Sequence, residues 1–175
     1  MKKNGQKWAF AAIILLIAWG CSSPAIEIGE PAPDFSAQTI GEETLQLSDF
    51  KGSYTILYFW RTDCEACRSR HEDFMRVYEK YQNARFVNGF DLHAVGIALE
   101  DEQTDVLTAA REDKLRIRYH ALNPPPDEQV FEAPLAKMYQ VQSLPAIFLV
   151  DARGILIGKA ITISKLDALL KKHLL

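Results

Sequence analysis

Two of the three cysteines in this 175-residue chain, Cys64 and Cys67, stand two residues apart in FWRTDCEACRSRH (59–71). A pair at this spacing can cycle between dithiol and disulfide, supply half of a metal site, or act as a structural bridge. A thiolate, not a thiol, attacks a disulfide, and the unpaired N–H groups and dipole of a helix N-terminus favour the thiolate. The flanking residues provide that setting. SYTILYFW (53–60) is a β-branched and aromatic run bounded by Gly52 and the polar RTD, which predicts a buried strand ending just before Cys64. From Glu65 to Gln82 there is no Gly or Pro, and Phe74, Val77, Tyr78 and Tyr81 recur at i, i+3, i+4 and i+7, so an amphipathic helix is expected to begin at the cysteines. Cys64 then lies at the N-cap and is the expected attacking residue. Cys67, one turn on and more buried, would resolve the mixed disulfide.

Other chemistries fit less of the sequence. A structural zinc site needs about four ligands, whereas only Cys64, Cys67 and His71 are close in sequence; His93, His120 and His173 are scattered. Covalent haem attachment needs Cys-x-x-Cys-His, and Arg68 occupies the histidine position. A purely structural bridge over two residues would remove little entropy from the unfolded chain. Two alternatives to dithiol exchange stay open: a metal-binding or metallochaperone protein using both cysteines and one histidine, and a thiol peroxidase built on Cys64. The peroxiredoxin pattern Pro-x-x-x-Thr-x-x-Cys is not met, since Leu57 and Arg61 stand at its first two positions. His71, four residues after Cys67, shares its helix face. It is expected to pack in the core, with proton shuttling beside the pair as the alternative. Trp60 is expected beneath the site.

The remaining elements follow from pattern. FSAQTI and TLQLSDF around Gly41-Glu42-Glu43 predict a hairpin. LHAVGIAL (92–99) predicts a second strand, Thr104 to Asp113 a helix with Thr104 as N-cap, and RIRYHAL a weaker strand. Asn123-Pro124-Pro125-Pro126 is a loop and APLAKMYQV (133–141) a short helix. PAIFLVD and GILIGKAI form a hairpin across Ala152-Arg153-Gly154, and Ser164 with Asp167 resembles a capping box opening a last helix. Alternating strands and helices followed by a hairpin and helix predict an α/β mixed sheet with helices on both faces.

The beginning of the chain sets its compartment. Lys2, Lys3 and Lys7 precede WAFAAIILLIAW (8–19), an uncharged run of 12 residues. It is shorter than the roughly 20 residues a membrane-crossing helix needs, and reads as an export signal over 1–20. Cys21 in AWGCSS resembles the lipidated cysteine of bacterial lipoproteins, although Ala18 and Trp19 depart from the usual residues. Cleavage after Gly20 without lipidation is the alternative. Several acyl chains would anchor the chain firmly, whereas one would not. Residues 21–33 read as the lipidated cysteine and its tether, in which Ser22 to Pro33 spans about 40 Å at most when extended, and 34–175 as one domain. Without 1–20 the chain has 17 basic and 23 acidic residues, net −6, which gives no basic surface for nucleic acid. The composition, 48% hydrophobic and 25% charged, is that of a globular domain.

GEPAPDF, LSDFKG, FWRTDCEACR, APLAKMYQV and SLPAIFLVDARG, in that order, resemble the exported TlpA/ResA-like group of thioredoxin-fold proteins, over residues 28–175. The resemblance implies a thioredoxin-like fold with an N-terminal β-hairpin, and a reductant of extracytoplasmic protein disulfides. It implies no organic cofactor, but a membrane electron donor or upstream dithiol partner. It also implies that Pro145 is cis and lies beside the reactive cysteine, so that Leu144 and Pro145, with Trp60 and Glu65, frame a groove where a client peptide adds as a strand. Several positions depart from the group. Asp63 stands where tryptophan is common, Tyr58 where thioredoxin keeps a buried aspartate, and Arg70 where many members have glutamate. Glu72 replaces a helix-kinking proline, which predicts a straighter first helix. Asp63 and Glu65 oppose the Cys64 thiolate while Arg61, Arg68 and Arg70 favour it, a near balance.

Overall fold

The computed structural model describes residues 26–100 and 102–175. The expected export signal, Cys21 and the first part of the tether lie outside them. Among the described residues no helix is long and apolar enough to cross a membrane.

Strand β3 (Tyr54–Trp60) is buried along its whole length, as a strand covered on both faces must be. It pairs in parallel with β6 (Leu92–Ala98) and antiparallel with β8 (Ala146–Val150). β7 (Tyr119–Leu122) extends the parallel side and β9 (Leu156–Gly158) the antiparallel side, giving the order β7-β6-β3-β8-β9. The turn between β8 and β9 is shaped by Asp151, whose carboxylate accepts from the N–H groups of Arg153 and Ile155 at 2.9 Å each. Before the sheet, β1 (Ser36–Gln38) and β2 (Thr44–Gln46) make the expected hairpin.

Alternation along β3 sorts the layers. Tyr54, Ile56, Tyr58 and Trp60 pack beneath α1 (Glu65–Arg68), α2 (His71–Tyr81), α3 (Gln103–Glu112) and α5 (Ile163–Lys172). Leu57 and Phe59 face the opposite core, made by the hairpin, the 3-10 turn Leu47–Phe50 and α4 (Pro134–Met138). The segment leading into the domain also covers both margins of the sheet. Gly29 N–H donates to Leu156 O at 2.8 Å and Leu156 N–H to Glu30 O at 2.9 Å along β9. Ile40 N–H donates to His120 O at 2.9 Å, beside a Thr39–Ala121 bridge along β7.

Three local expectations are corrected. The helix expected from Glu65 to Gln82 is broken at Ser69 and Arg70 into α1 and α2. The cause is not proline: the Ser69 hydroxyl donates back to Ala66 O at 3.4 Å, and Arg70 N–H bonds Cys67 O, three residues back, at 3.0 Å. Serine bonding to an earlier carbonyl bends a helix in this way. The N-caps are Glu102 and Thr162 rather than Thr104 and Ser164; the Thr162 hydroxyl accepts from Lys165 N–H at 3.2 Å. A small hairpin, β4 (Arg85–Phe86) and β5 (Gly89–Phe90), was not expected. Asn88 makes its turn with a left-handed φ of 62°.

Candidate active site

Cys64 is the N-cap of α1, reached from β3 through Arg61-Thr62-Asp63. Its sulfur accepts from Cys67 N–H at 3.1 Å, and its carbonyl from the N–H groups of Cys67 and Arg68 at 2.9 and 3.0 Å. The two cysteines form a disulfide with Cα atoms 5.2 Å apart. Cys64 is half-buried and Cys67 fully buried, so the first sulfur can be approached while the second lies beneath it. The expected geometry is present.

The connecting loop is fastened to the end of β6. Thr62 donates through its N–H and hydroxyl to Glu100, at 2.8 and 2.7 Å, and Arg61 donates to Leu99 O at 3.0 Å. Glu100 thus positions the loop that carries Cys64, a role invisible in sequence because it depends on the parallel pairing of β3 with β6.

Charge around the sulfurs is more ordered than a count suggests. Arg61 is bidentate to Asp63, at 2.8 and 3.0 Å, and each neutralises the other. Arg68 reaches away from the cysteines to Asp113, at 2.8 and 3.0 Å, and to Glu112 at 2.9 Å. Its guanidinium holds the Asp113 carboxyl below the usual carboxylate range, against the opposing effect of burial. Exposed Glu65 and Arg70 remain beside the pair.

Beneath the disulfide lies an aromatic floor. Trp60 is wholly buried, which corrects its expected place in the substrate groove: it supports the site and cannot touch a docked client. Tyr58 stacks on Phe74 with centroids 4.5 Å apart, and its hydroxyl donates to Cys67 O at 3.4 Å. Burial pushes its phenol pKa up, so it stays protonated. His71 is wholly buried, with Nδ1 3.1 Å from Asp113 Oδ2. Burial pushes its pKa down, more than Asp113 raises it, so its ring is neutral at pH 7. It packs, as expected, and it also has a carboxylate partner.

The Leu144–Pro145 bond is cis. Because Phe59 pairs with Ala146, Pro145 stands at the same end of the sheet as Trp60 and the loop to Cys64. Leu144 and Pro145 are half-buried and Glu65 exposed. A concavity of about 180 Å³ lined by Phe50, Thr55 and Asp151 lies at the opposite end of β3, away from the disulfide. Among the described residues no three His, Cys, Asp or Glu side chains are grouped to hold a metal ion.

Residues 28–159 match the AhpC/TSA family. The chain is 28% identical over 165 residues to the thiol-disulfide oxidoreductase ResA of Bacillus thuringiensis subsp. konkukian, covering 88% of this chain and 86% of that protein. It shares its fold with the thioredoxin domain of a thiol-disulfide oxidoreductase from Bacteroides vulgatus, with a TM-score of 0.69, 22% identity, and coverage of 85% of this chain and 98% of the other. A thiol-disulfide oxidoreductase from Bacteroides fragilis is similarly alike, with a TM-score of 0.68, 23% identity, and coverage of 82% and 98%.

Proposed function

The chain belongs to the AhpC/TSA family, and on that footing we propose a thiol–disulfide oxidoreductase that acts outside the cytoplasm and reduces disulfides in client proteins. The observation that carries the reading is the Cys64–Cys67 disulfide at a helix N-terminus, with the first sulfur approachable and the second buried. In the reduced protein the Cys64 thiolate attacks one sulfur of a client disulfide. The client's S–S bond breaks, a Cys64–client bond forms, and the other client sulfur leaves as a thiolate. Cys67 then attacks Cys64, releasing the second client thiolate and leaving the protein disulfide. Two electrons have passed to the client, and a membrane donor or upstream dithiol must return them.

Leu144, Pro145 and Glu65 frame the docking surface, with Leu144 offering backbone groups to an extended peptide. Peroxidase chemistry is disfavoured because Leu57 is buried in the core and Arg61 is tied to Asp63, at the positions where the peroxiredoxin pattern has proline and threonine. Export is supported by the basic and apolar residues of 1–20, and anchoring by Cys21 directly after them.

A glutathione redox titration of the full chain, with alkylation and mass read-out at Cys64 and Cys67, tests the reading. Both cysteines should titrate together at a potential well below about −120 mV, the value of a strong disulfide oxidant. A potential at that value would overturn the direction of electron flow, and a pair that does not titrate would overturn the function.

A further inference from the structure

Leu144, Ile161, Ile163 and Val77 are half-buried apolar side chains that pack on the same core cluster as Cys64. The elements that carry them set their order. Leu144 precedes the cis proline at the disulfide end of the sheet. Ile161 N–H donates to Ile147 O at 2.9 Å, which keeps it near that end, and Ile163 opens α5. Val77 lies on α2. The first turns of α2 and α5 face each other across a groove of about 410 Å³, lined by Arg70, Arg76 and Val77 on one side and by Ile163 and Asp167 on the other.

Among the described residues the charges along this groove are paired, with one exception. Arg76 donates to Asp73 at 2.8 Å, and Asp167 accepts from Lys80 at 2.7 Å. Arg70 is exposed and forms no ion pair among the described residues. Its N–H donates to Cys67 O at 3.0 Å, which fixes its backbone against the second cysteine. Its charge also reaches the Tyr58 phenol, whose hydroxyl rests on the same carbonyl, and opposes the upward push of burial there. The groove therefore has an uncompensated cation at its disulfide end and apolar walls beyond.

We propose that a client chain continues from its reactive cysteine into this groove, and that Arg70 selects clients with an acidic residue a few positions from that cysteine and an apolar residue between. The proposal rests on the exchange reading of Cys64 and Cys67 and adds which clients are preferred. Arg70 stands six residues after Cys64, about 9 Å along a helix at ~1.5 Å per residue. An extended client covers that distance in about three residues. The intervening apolar side chain meets Ile161 and Ile163, and the acidic one gives Arg70 the partner it lacks. A basic residue in its place brings like charges together. The whole chain has a net charge of −3, which disfavours acidic clients overall, so a preference for them is a local effect of the groove. Arg70 is a specificity residue: it touches the client chain, not the reacting sulfurs.

Short peptides with one cysteine test the selection. Each has an apolar residue beside the cysteine and Glu, Gln or Lys about three residues before or after it, and is linked to 2-mercaptoethanol as a mixed disulfide. The full reduced chain is mixed with each peptide, and oxidation of Cys64 and Cys67 is followed by alkylation and mass. At one of the two placements the Glu peptide should react about two- to fivefold faster than the Gln peptide, and the Lys peptide slower by a similar factor, the range for an exposed ion pair. Arg70→Glu should invert that order, Arg70→Gln should remove it, and high salt should level the rates. Any effect of these substitutions on the Cys64 thiolate falls on all peptides alike and cancels in the ratios.

A second measurement locates the client. Cys67→Ser holds the mixed disulfide with the Glu peptide, and a spin label at the acidic end of that peptide should broaden the methyl signals of Val77 and Ile163 by NMR. Equal rates for Glu, Gln and Lys at both placements, or an order that Arg70→Glu leaves as it was, would overturn the proposal while leaving the oxidoreductase reading in place. Broadening that misses Val77 and Ile163 would do the same. No reaction with any peptide would overturn the oxidoreductase reading and the selection with it.

Discussion

Arg68 grips Asp113 with two hydrogen bonds, at 2.8 and 3.0 Å, joining the cysteine helix to the end of α3. The same carboxylate holds His71 beneath the disulfide. A residue adjoining the second cysteine therefore acts on the site by fixing its floor, and its charge is spent on Asp113 and Glu112 rather than on sulfur.

Arg68→Ala should lower stability by about 1–2 kcal/mol, the low side for charged hydrogen bonds because the guanidinium is partly exposed. Urea unfolding measures it. The Cys64 alkylation rate should change by less than about twofold, since the charge removed was already neutralised; a larger fall would show that Arg68 acts on the thiolate directly.

Glu65 and Arg70 should tune the nucleophile in opposite directions. Glu65→Gln removes an anion from the first turn of α1 and should speed Cys64 alkylation below its pKa by about two- to fivefold, the range for a charge near a helix end. Arg70→Gln should slow it by a similar factor. Both effects should shrink in high salt.

Cys67→Ser should accumulate a covalent Cys64–client species visible by mass, and Cys64→Ser should form none. Turnover should fall at least about a hundredfold in either variant. A Cys67→Ser protein that keeps consuming hydroperoxide would instead mark a peroxidase.

Stability should fall in mild acid. Burial holds the pKa values of His71, His93 and His120 below the ordinary imidazole value, so the fold prefers them neutral. Their contribution is complete above the unfolded value of about 6.5 and is lost as pH falls from there through the folded values. Thermal unfolding between pH 8 and pH 5 should show a midpoint that declines below about 6.5; a midpoint flat over that range would contradict the burial.

Gly89→Ala should destabilise the small hairpin before β6. Its added Cβ would lie 2.7 Å from the Ala152 Cβ and 3.2 Å from Gly52 O, neither of which can swing aside. A loss of about 1–3 kcal/mol is expected from overpacking, read by urea unfolding.

The sequence was most legible where a single segment decided the outcome. The β-branched run of β3 and its polar exit placed Cys64 at a helix start, and the apolar spacing of Phe74, Tyr78 and Tyr81 found α2. Nearby alternatives were harder: Thr104 and Ser164 look like caps, yet Glu102 and Thr162 open those helices two residues earlier. The break at Ser69 turned on one hydroxyl bonding backwards instead of outwards. Asn88-Gly89 carries the turn signal of the small hairpin in two residues. What one segment could not reveal was partnership between segments. Glu100 meets Thr62 only because of parallel register between β3 and β6. Trp60 was expected both under the site and in its groove, and only the covering helices decide between the two.

The entering segment that runs along both β7 and β9 has a further effect. Outer strands partly occupied by the chain's own backbone, Leu156 on one side and His120 and Ala121 on the other, offer fewer free groups for edge-to-edge pairing between copies.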